Sequence, residues 1–332
     1  MEMLNQQYKQ LLKKYLENKD EKSLYFAQQF SRKFVENEVS PEEVVSLHKD
    51  AVVAISKETS EETKNSYDFL IEMMIHYGLA LKEHQSLIQK REELQMEMEI
   101  AANMQENLIN TSLPEVPGLD IGYVSEAAKR MSGDYIYFAT HGKNLLSVAV
   151  ADVIGKGIPA ALCMSMIKFG MDSISEDDSS PEEVLRTINR IVEKSMDDSM
   201  FISMYYGMYN IDTNDFTYSS AGHEPALLYR EKNHSFEHLM SKGLLLGVQS
   251  EVIYEEKTVK LETGDFIAIM TDGVTEVRTE DGFLDEAIIH NHLKKNRHLT
   301  AQQMAKELFS ELSQIQDFKL HDDFTVAVIK KV

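Results

Sequence analysis

The sequence predicts an α+β protein in which a helical N-terminal part precedes antiparallel sheets covered by pairs of helices. The first 80 residues contain a single proline, Pro41, and no glycine before Gly78, a composition that suits helices and suits strands poorly. After Pro114, alternating and β-branched runs dominate, and most of them are joined by turns. Because 332 residues exceed the usual size of one domain, we predict two domains.

Apolar residues recur at helical spacing through residues 1–80, which we predict to form a bundle of four helices. One stripe places Phe26, Phe30 and Phe34 four residues apart. Ser40, Pro41 and Glu43 form a helix start, with a capping serine, a proline at the first helical position and a glutamate three residues after the cap. The other stripes are Leu11, Leu12, Tyr15 and Leu16, then Val44, Val45, Leu47, Ala51, Val52 and Ile55, and finally Phe69, Leu70, Met73, Met74 and Tyr77.

Residues 81–112 are predicted to be a linker helix and a candidate coiled coil through which the chain forms a homodimer. Four residues of this segment lie seven apart: Leu87, Leu94, Ala101 and Leu108. The seam is imperfect, because Arg91 and Gln105 occupy positions where a coiled coil favours apolar side chains. A solvated connecting helix is the alternative interpretation.

A second domain is predicted over residues 113–332, with strands and adjacent pairs of helices. Hairpin turns are expected at 141–144 and 212–215. The predicted strands are 119–124, 135–140, 145–151, 201–209, 216–219, 226–229, 259–261, 266–270 and 324–329. The predicted helices are 159–173, 181–196, 284–295 and 301–314.

Composition excludes several classes of function. The formal net charge of −21 and the lack of a basic cluster argue against a nucleic-acid partner. No apolar run is long enough to span a bilayer, and the N-terminus lacks the features of a signal peptide, so we expect a cytoplasmic protein with no membrane partner. The single cysteine, Cys163, lies in an apolar stretch and is expected to be an inert core residue.

Four aspartates stand at the ends of apolar strands: Asp134, Asp152, Asp272 and Asp322. Carboxylates gathered without matching cationic side chains repel one another unless hard cations lie between them. No cysteine and histidine cluster accompanies them, so oxygen-only ligation favours Mg²⁺ or Mn²⁺ over zinc. Two such ions, about 3.5–4 Å apart, could activate a water and clamp a phosphoryl group, which points to phosphate esters as substrates. Taken singly, each aspartate could instead be a turn former or a helix cap.

The motifs around these aspartates, in their order, resemble the PPM family of metal-dependent serine/threonine phosphatases, in its SpoIIE-like branch. The resemblance implies a β-sandwich between pairs of helices with the metal site at one edge. The matching stretches are Ser132-Gly-Asp-Tyr135, Asp152-Val-Ile-Gly-Lys-Gly157 with Pro159-Ala-Ala161, Met200-Phe-Ile-Ser203, Ser220-Ala-Gly-His-Glu-Pro225, Thr271-Asp-Gly-Val-Thr-Glu276 and Asp322-Asp-Phe-Thr325.

The resemblance also implies roles for single residues. Asp152 is expected to bridge two ions, assisted by the backbone carbonyl of Val153, with Asp134 as a ligand of one ion. Asp272 and Asp322 are expected to bind the other ion, and Asp323 has a supporting role. The nucleophile would be a metal-activated water rather than a protein side chain. Separately, Gly155 and Gly157 could allow a tight backbone turn beside the ions, or could serve only as a strand-to-helix turn.

One departure from the family pattern affects the mechanism. Ile154 stands where eukaryotic relatives carry a histidine that protonates the leaving group. His223 is a candidate replacement, but it could equally orient the backbone of its turn, and a metal-bound water could supply the proton instead. Lys129, Arg130 and Lys156 could meet phosphate or could simply be solvated.

Over its whole length the chain resembles the stress-pathway phosphatases of Bacillus-type bacteria. This implies dephosphorylation of a phosphorylated anti-anti-sigma factor, which activates sigma-B, and a kinase-like activator that binds the helical domain. The alternatives are an inactive phosphatase-like scaffold and a different two-metal hydrolase such as a nuclease. The matching stretches are Phe30-Ser-Arg-Lys33, Asp68-Phe-Leu-Ile-Glu72, Glu99-Ile-Ala-Ala-Asn103, residues 156–168 and Leu320-His-Asp-Asp-Phe-Thr325.

Overall fold

The structure is a computed structural model, and it divides into two compact units, Met1–Met96 and Glu97–Val332. It describes residues 2–19, 21–37, 39–56, 60–109, 111–142, 144–154, 158–174, 180–195, 200–279 and 282–332. Across this described part, no helix has both the length and the apolar character needed to cross a membrane.

The first unit contains the predicted helices. Helix α3 (Pro41–Ile55) begins where the sequence indicates, with the backbone N–H of Ser40 donating to the carboxylate of Glu43 at 2.9 Å. The rings of Phe30 and Phe34 lie 5.3 Å apart, and Tyr8 lies 5.8 Å from Phe34, so part of the phenylalanine stripe lies in an aromatic cluster. The helices are α1 (Glu2–Asn18), α2 (Glu21–Glu36), α3 (Pro41–Ile55) and α4 (Glu61–Ile109).

Helix α4 differs from the sequence-based expectation in one respect. The fourth bundle helix and the linker helix were predicted as separate segments, and they form one continuous helix of 49 residues. Gly78 is its only glycine, and it contains no proline. A single glycine inside a helix costs about 1 kcal/mol, which a long helix tolerates.

The second unit is built on two five-stranded antiparallel sheets. The first sheet has the order β1 (Leu119–Glu126), β12 (Phe324–Lys331), β9 (Phe266–Met270), β6 (Ala226–Arg230) and β7 (Ser235–Leu239). The second has the order β2 (Asp134–His141), β3 (Leu145–Ile154), β4 (Phe201–Asn210), β5 (Asp215–Ala221) and β8 (Glu256–Lys260). A two-residue pair, β10 (Arg278–Thr279) and β11 (Gly282–Phe283), lies outside both sheets. The helices are α5 (Ile158–Ser173), α6 (Pro181–Ser195), α7 (Asp272–Thr275), α8 (Glu286–Asn296) and α9 (Ala301–Ile315).

Strand β3 shows why this unit is a sandwich between helix layers. Its residues Leu146, Val148 and Val150 pack in the core between the two sheets, where they join residues of the first sheet such as Ile269. The alternate residues Ala149, Ala151 and Val153 pack in the core shared with α5 and α6. Because both faces of this strand are buried, its sequence is a continuous apolar run rather than an alternating one. A third core joins the other face of the first sheet to α8 and α9.

The predicted antiparallel sheets and helix pairs are confirmed, with boundaries within a few residues. The turns at 141–144 and 212–215 join β2 to β3 and β4 to β5, although Lys143 lies outside the described residues. Strand β7, the β10–β11 pair and helix α7 were not predicted from the sequence. Strand β7 is an edge strand whose middle residues are exposed, so it lacks the apolar run that marks the central strands.

Cys163 belongs to α5 and is buried in the core that this helix shares with the second sheet. Burial raises the pKa of its thiol to about 12, so the reactive thiolate is scarce at neutral pH. This agrees with its predicted role as an inert core residue.

Candidate metal centre

The second sheet brings three of the sequence motifs into one row across neighbouring strands. Asp134, at the start of β2, lies directly opposite Asp152 near the end of β3. Asp152 in turn lies opposite Ser203 of β4. Directly opposed residues in an antiparallel pair point to the same face of the sheet, so the carboxylates of Asp134 and Asp152 lie on one face.

The first sheet brings its aspartates to the same place. Asp272 follows β9, and Asp322 and Asp323 precede β12. The two segments are tied by the backbone N–H of Thr271, which donates to the carbonyl of Thr325 at 3.1 Å. Gly273 allows them to approach closely, because an added Cβ there would lie 1.9 Å from the carbonyl oxygen of Asp323.

Asp134 connects the two sheets. Its carboxylate is only 2% exposed, and it accepts a hydrogen bond of 2.7 Å from the hydroxyl of Thr271 in the first sheet's motif. The same hydroxyl oxygen accepts the backbone N–H of Thr325 at 3.2 Å. Burial raises the pKa of Asp134 well above its usual range, and the charges of Asp152 and Asp323 raise it further, while Thr325 and Thr271 oppose the rise. This carboxyl therefore lies in a site that lacks compensating positive charge.

Three oxygens converge beside Gly133. An ideal Cβ built on this glycine would lie 3.3 Å from a carboxylate oxygen of Asp323, 3.3 Å from the carbonyl oxygen of Val153 and 3.4 Å from a carboxylate oxygen of Asp152. Any larger residue at this position would crowd these oxygens. The carbonyl of Val153, which the sequence analysis named, thus faces the same space as two of the aspartates.

Asp323 is held more firmly than its neighbour Asp322. The carboxylate of Asp323 accepts the backbone N–H of Ala128 at 2.7 Å and a short hydrogen bond from the N–H of Gly133. Asp322 is exposed, and one of its carboxylate oxygens accepts the N–H of Asp323 at 3.1 Å. Hydrogen bonds from the backbone fix a carboxylate in place, which suits the supporting role predicted for Asp323.

The donor set fits a hard divalent cation. It consists of carboxylate and carbonyl oxygens, which Mg²⁺ and Mn²⁺ prefer. Among the residues that the structure describes, no three of these carboxylates have oxygens within 4.8 Å of one another. The carboxylates are therefore further apart than in a closed coordination shell, as repulsion between like charges favours.

Family models match both units. The model "Stage II sporulation protein E (SpoIIE)" matches residues 142–332, and the model "Phosphoserine phosphatase RsbU, N-terminal domain" matches residues 6–80. "Phosphoserine phosphatase RsbU" of Bacillus subtilis (strain 168) is 47% identical over 330 residues, which cover 99% of this chain and 98% of that protein. The chain belongs to the RsbU family of phosphoserine phosphatases.

Solved structures agree with this membership at the level of the fold. The SiaA-PP2C domain of Pseudomonas aeruginosa aligns with a TM-score of 0.60 at 15% identity, covering 73% of this chain and 98% of that chain. A crystal structure of RsbX in complex with magnesium aligns with a TM-score of 0.50 at 21% identity, covering 67% of this chain and 99% of that chain. At these identities the likeness establishes the PP2C fold alone.

His223, the candidate general acid of this RsbU-family chain, is buried. Its Nδ1 lies 2.7 Å from the hydroxyl oxygen of Ser203, the residue opposite Asp152. Its Nε2 is buried without a hydrogen bond of ordinary geometry. Burial lowers the pKa of His223 to about 4, and the carbonyl of Met270 offsets only part of that effect. The imidazole is therefore neutral at physiological pH.

The structure describes only some of the basic residues that lie near the aspartates in the sequence. Arg130 forms an exposed ion pair with Glu99 at 3.7 Å, and Lys129 is exposed. Gly155, Lys156 and Gly157 lie outside the described residues.

Sequence reasoning missed three residues that support the site. Thr271 and Thr325 are fully buried and hold Asp134. Glu224 accepts a hydrogen bond of 2.7 Å from the hydroxyl of Thr275 in α7. Burial is the main cause that raises the pKa of Glu224, and among the neighbouring charges Asp272 raises it most. All three residues lie inside the phosphatase motifs, close to the candidate site residues. That closeness in sequence is the signal that could have identified them.

We expect Thr271→Val to weaken Mn²⁺ binding roughly tenfold or more, because outer-shell partners of metal ligands typically contribute that much. Valine keeps the shape of threonine but removes the hydroxyl that donates to Asp134. Thr271→Ser retains the hydroxyl and should stay within a factor of about three of the wild type. Titration of free Mn²⁺ by electron paramagnetic resonance measures both variants, and equal weakening in the two would contradict the role of the hydroxyl.

The lowered pKa of His223 predicts a pH-dependent loss of stability in the metal-free protein. Between the ordinary histidine pKa near 6.5 and the folded value of about 4, the unfolded chain binds a proton that the folded chain does not, so stability falls as the pH falls. Wild type should lose on the order of 3 kcal/mol more than His223→Asn between pH 7 and pH 4. Urea unfolding with a chelator present measures this difference, with the exposed His298→Asn as control. A wild-type pH profile identical to that of His223→Asn would show that this histidine titrates normally.

Proposed function

We propose that this chain hydrolyses the phosphoserine of a phosphorylated anti-anti-sigma factor of the RsbV type and so activates sigma-B. The observation that carries the proposal is the convergence of Asp152, Asp323 and the Val153 carbonyl beside Gly133, next to buried Asp134. The match to RsbU of Bacillus subtilis over 99% of the chain supports the same phosphatase reaction.

Within this proposal the aspartates divide between two hard cations. Asp152, together with the Val153 carbonyl, would contribute to holding both ions, Asp134 would be a ligand of one ion, and Asp272 and Asp322 would be ligands of the other. Two Mg²⁺ or Mn²⁺ ions held there would activate a water and neutralise the charge of a phosphoryl group. The magnesium complex of RsbX supports a hard divalent cation, and the number of ions rests on the resemblance to the PPM family.

In this proposal the protein side chains position the site residues, and none of them attacks the phosphoryl group. Thr271 fixes the carboxylate of Asp134, and the N–H groups of Ala128 and Gly133 fix Asp323. His223 holds Ser203, near the start of β4, through its Nδ1. Because its imidazole is buried and neutral, we propose that His223 orients this turn and does not protonate the leaving serine.

Two alternatives are less well supported. An inactive scaffold would have no need of clustered carboxylates, because like charges repel one another and such perturbed groups cluster at functional sites. The cluster around buried Asp134 is intact here. A nuclease would need a basic surface for the nucleic-acid backbone, and the chain carries a net charge of −21.

An activator of the RsbT type is proposed to bind the helical first unit. That unit carries a groove of about 470 Å³ between α1 and α2. Its lining combines the rings of Phe26 and Phe30 with the ammonium groups of Lys14 and Lys33, which approach those rings. Such a mixed apolar and basic surface suits a protein partner.

The linker helix offers a route by which activator binding reaches the aspartates. Leu87 and Leu94 are 61% and 53% exposed, so the heptad series is available for pairing with a second copy. At the other end of the series, Gln105 is buried and donates a hydrogen bond of 2.8 Å to the carbonyl of Ser132, two residues before Asp134. Pairing of the linker in a homodimer could thereby set the geometry of the metal centre.

Turnover of a phosphoserine RsbV-type protein by the full-length chain with Mn²⁺, with and without the RsbT-type activator, tests the reaction. Asp272→Asn should lower turnover roughly 100-fold or more, because loss of a metal ligand removes several kcal/mol of charge stabilisation. The matched control Glu307→Gln makes the same chemical change at an exposed helix position and should stay within about twofold. Activity that survives both chelation and Asp272→Asn would refute the mechanism.

A pair of double variants tests the linker. Leu87→Glu with Leu94→Glu places two charges in the heptad series and should abolish activator-stimulated turnover while leaving the unstimulated rate unchanged. Ser86→Glu with Gln89→Glu adds the same charge on the opposite face of the helix and should keep the stimulation. Sedimentation should show the activated dimer only for the second pair. Unchanged stimulation in the leucine pair would mean that pairing of the linker is not required.

A further inference from the structure

A second group of metal-ligating side chains lies away from the aspartates, between strand β7 and helix α8. Within the described residues it is the one set of three or more His, Cys, Asp or Glu ligand atoms that lie within 4.8 Å of one another. His238 comes from β7, and Glu286 and His290 come from the first two turns of α8. The four-residue spacing of Glu286 and His290 places both on one face of the helix.

Both imidazoles present the same nitrogen to the same carboxylate oxygen. The Nε2 of His238 lies 2.8 Å from Oε1 of Glu286, and the Nε2 of His290 lies 3.4 Å from it. The Nε2 of His290 is buried and makes no hydrogen bond of ordinary geometry. A ligand-type nitrogen is thus held out of water, 3.4 Å from a carboxylate oxygen, without a satisfied hydrogen-bond partner.

The ring of His290 is fixed in this direction. It stacks on the ring of Phe236 with centroids 4.5 Å apart and an interplanar angle of 12°. Phe236 itself packs against the core of the first sheet beneath α8. A ligand whose orientation is set by packing loses little conformational entropy when it binds a metal ion.

Two of the three separations between the ligand atoms lie near those of a tetrahedral site, and the third, between the ligand nitrogens of the two histidines, is at most 4.8 Å. Metal to ligand distances of about 2.0–2.2 Å place the ligand atoms of a tetrahedron about 3.3 Å apart. The 3.4 Å separation already matches this value, and the 2.8 Å separation requires a movement of about half an ångström. Two of the three residues are more than a third exposed, so small adjustments and a water as fourth ligand are both accessible.

We propose that His238, Glu286 and His290 bind a transition-metal ion of the zinc class. Two imidazole nitrogens and one carboxylate oxygen suit Zn²⁺, whereas the all-oxygen aspartate centre suits Mg²⁺ or Mn²⁺. The two sites therefore select different ions. The ligands come from the edge strand β7 and from the helix α8 that covers this strand. A bound ion therefore links β7 to α8 and stabilises that side of the sandwich.

The test uses the full-length protein in saturating Mg²⁺, which fills the aspartate centre and binds imidazole poorly. Zn²⁺ is titrated in competition with a chromophoric chelator, and thermal unfolding is followed with and without Zn²⁺. Wild type should bind one equivalent and unfold at a higher temperature with Zn²⁺. His238→Gln and His290→Gln should each weaken binding roughly tenfold or more and remove the thermal shift. The exposed His298→Gln and the aspartate-centre variant Asp272→Asn should retain both.

A second measurement does not depend on the variants. The ring proton resonances of His238 and His290 in the wild type should shift together during Zn²⁺ titration, and that of His298 should remain in place. The proposal is overturned if wild type binds no Zn²⁺ under these conditions, if neither resonance shifts, or if the two glutamine variants bind as tightly as wild type.

Discussion

A buried carboxyl group at the junction of the two sheets governs the arrangement of the metal centre. Asp134 belongs to the second sheet, yet one of its hydrogen-bond donors, the hydroxyl of Thr271, follows a strand of the first sheet. Burying a carboxylate beside Asp152 and Asp323 is unfavourable, as the raised pKa of Asp134 records. Its hydrogen bonds to hydroxyl groups offset part of that cost, and a cation would offset more.

This constraint explains the residue types that surround Asp134. Thr271 and Thr325 are fully buried hydroxyl residues, and a backbone hydrogen bond joins Thr271, which directly follows β9, to Thr325 of β12. Gly133 and Gly273 have no side chain because backbone and carboxylate oxygens occupy the space that a Cβ would enter. The motifs around Asp134 and Asp272 therefore each combine a charged residue with a glycine that allows the two sheets to meet beside it.

The sequence predicted the scaffold and the carboxylates better than it predicted their supports. Central strands such as β3 are apolar on both faces, and the aspartates interrupt or follow such runs, so both were visible. The hydroxyl of Thr271 and the carboxylate of Glu224 act through contacts between distant segments, which have no periodicity of their own. The group of His238, Glu286 and His290 likewise joins a strand to a later helix, so no local spacing could reveal the whole set.

Gln105 weakens the predicted coiled coil but forms buried hydrogen bonds in the second unit. As a polar residue in the heptad series, it lowers the stability expected of a coiled coil. In the second unit its amide is buried and donates to the carbonyl of Ser132 and to the sulfur of Met164 in α5. Ser132 precedes Gly133, whose N–H holds Asp323.

A rotation of the end of α4 would therefore have to break the Gln105 hydrogen bond or move the loop that positions Asp323 and Asp134. A buried hydrogen bond contributes about 1 kcal/mol, and this changes the ratio of two conformations about fivefold. A contact of that size is too weak to lock the centre in one state. Under the proposal above, an activator that orders the linker would need only a small free-energy difference to change the geometry of the aspartates.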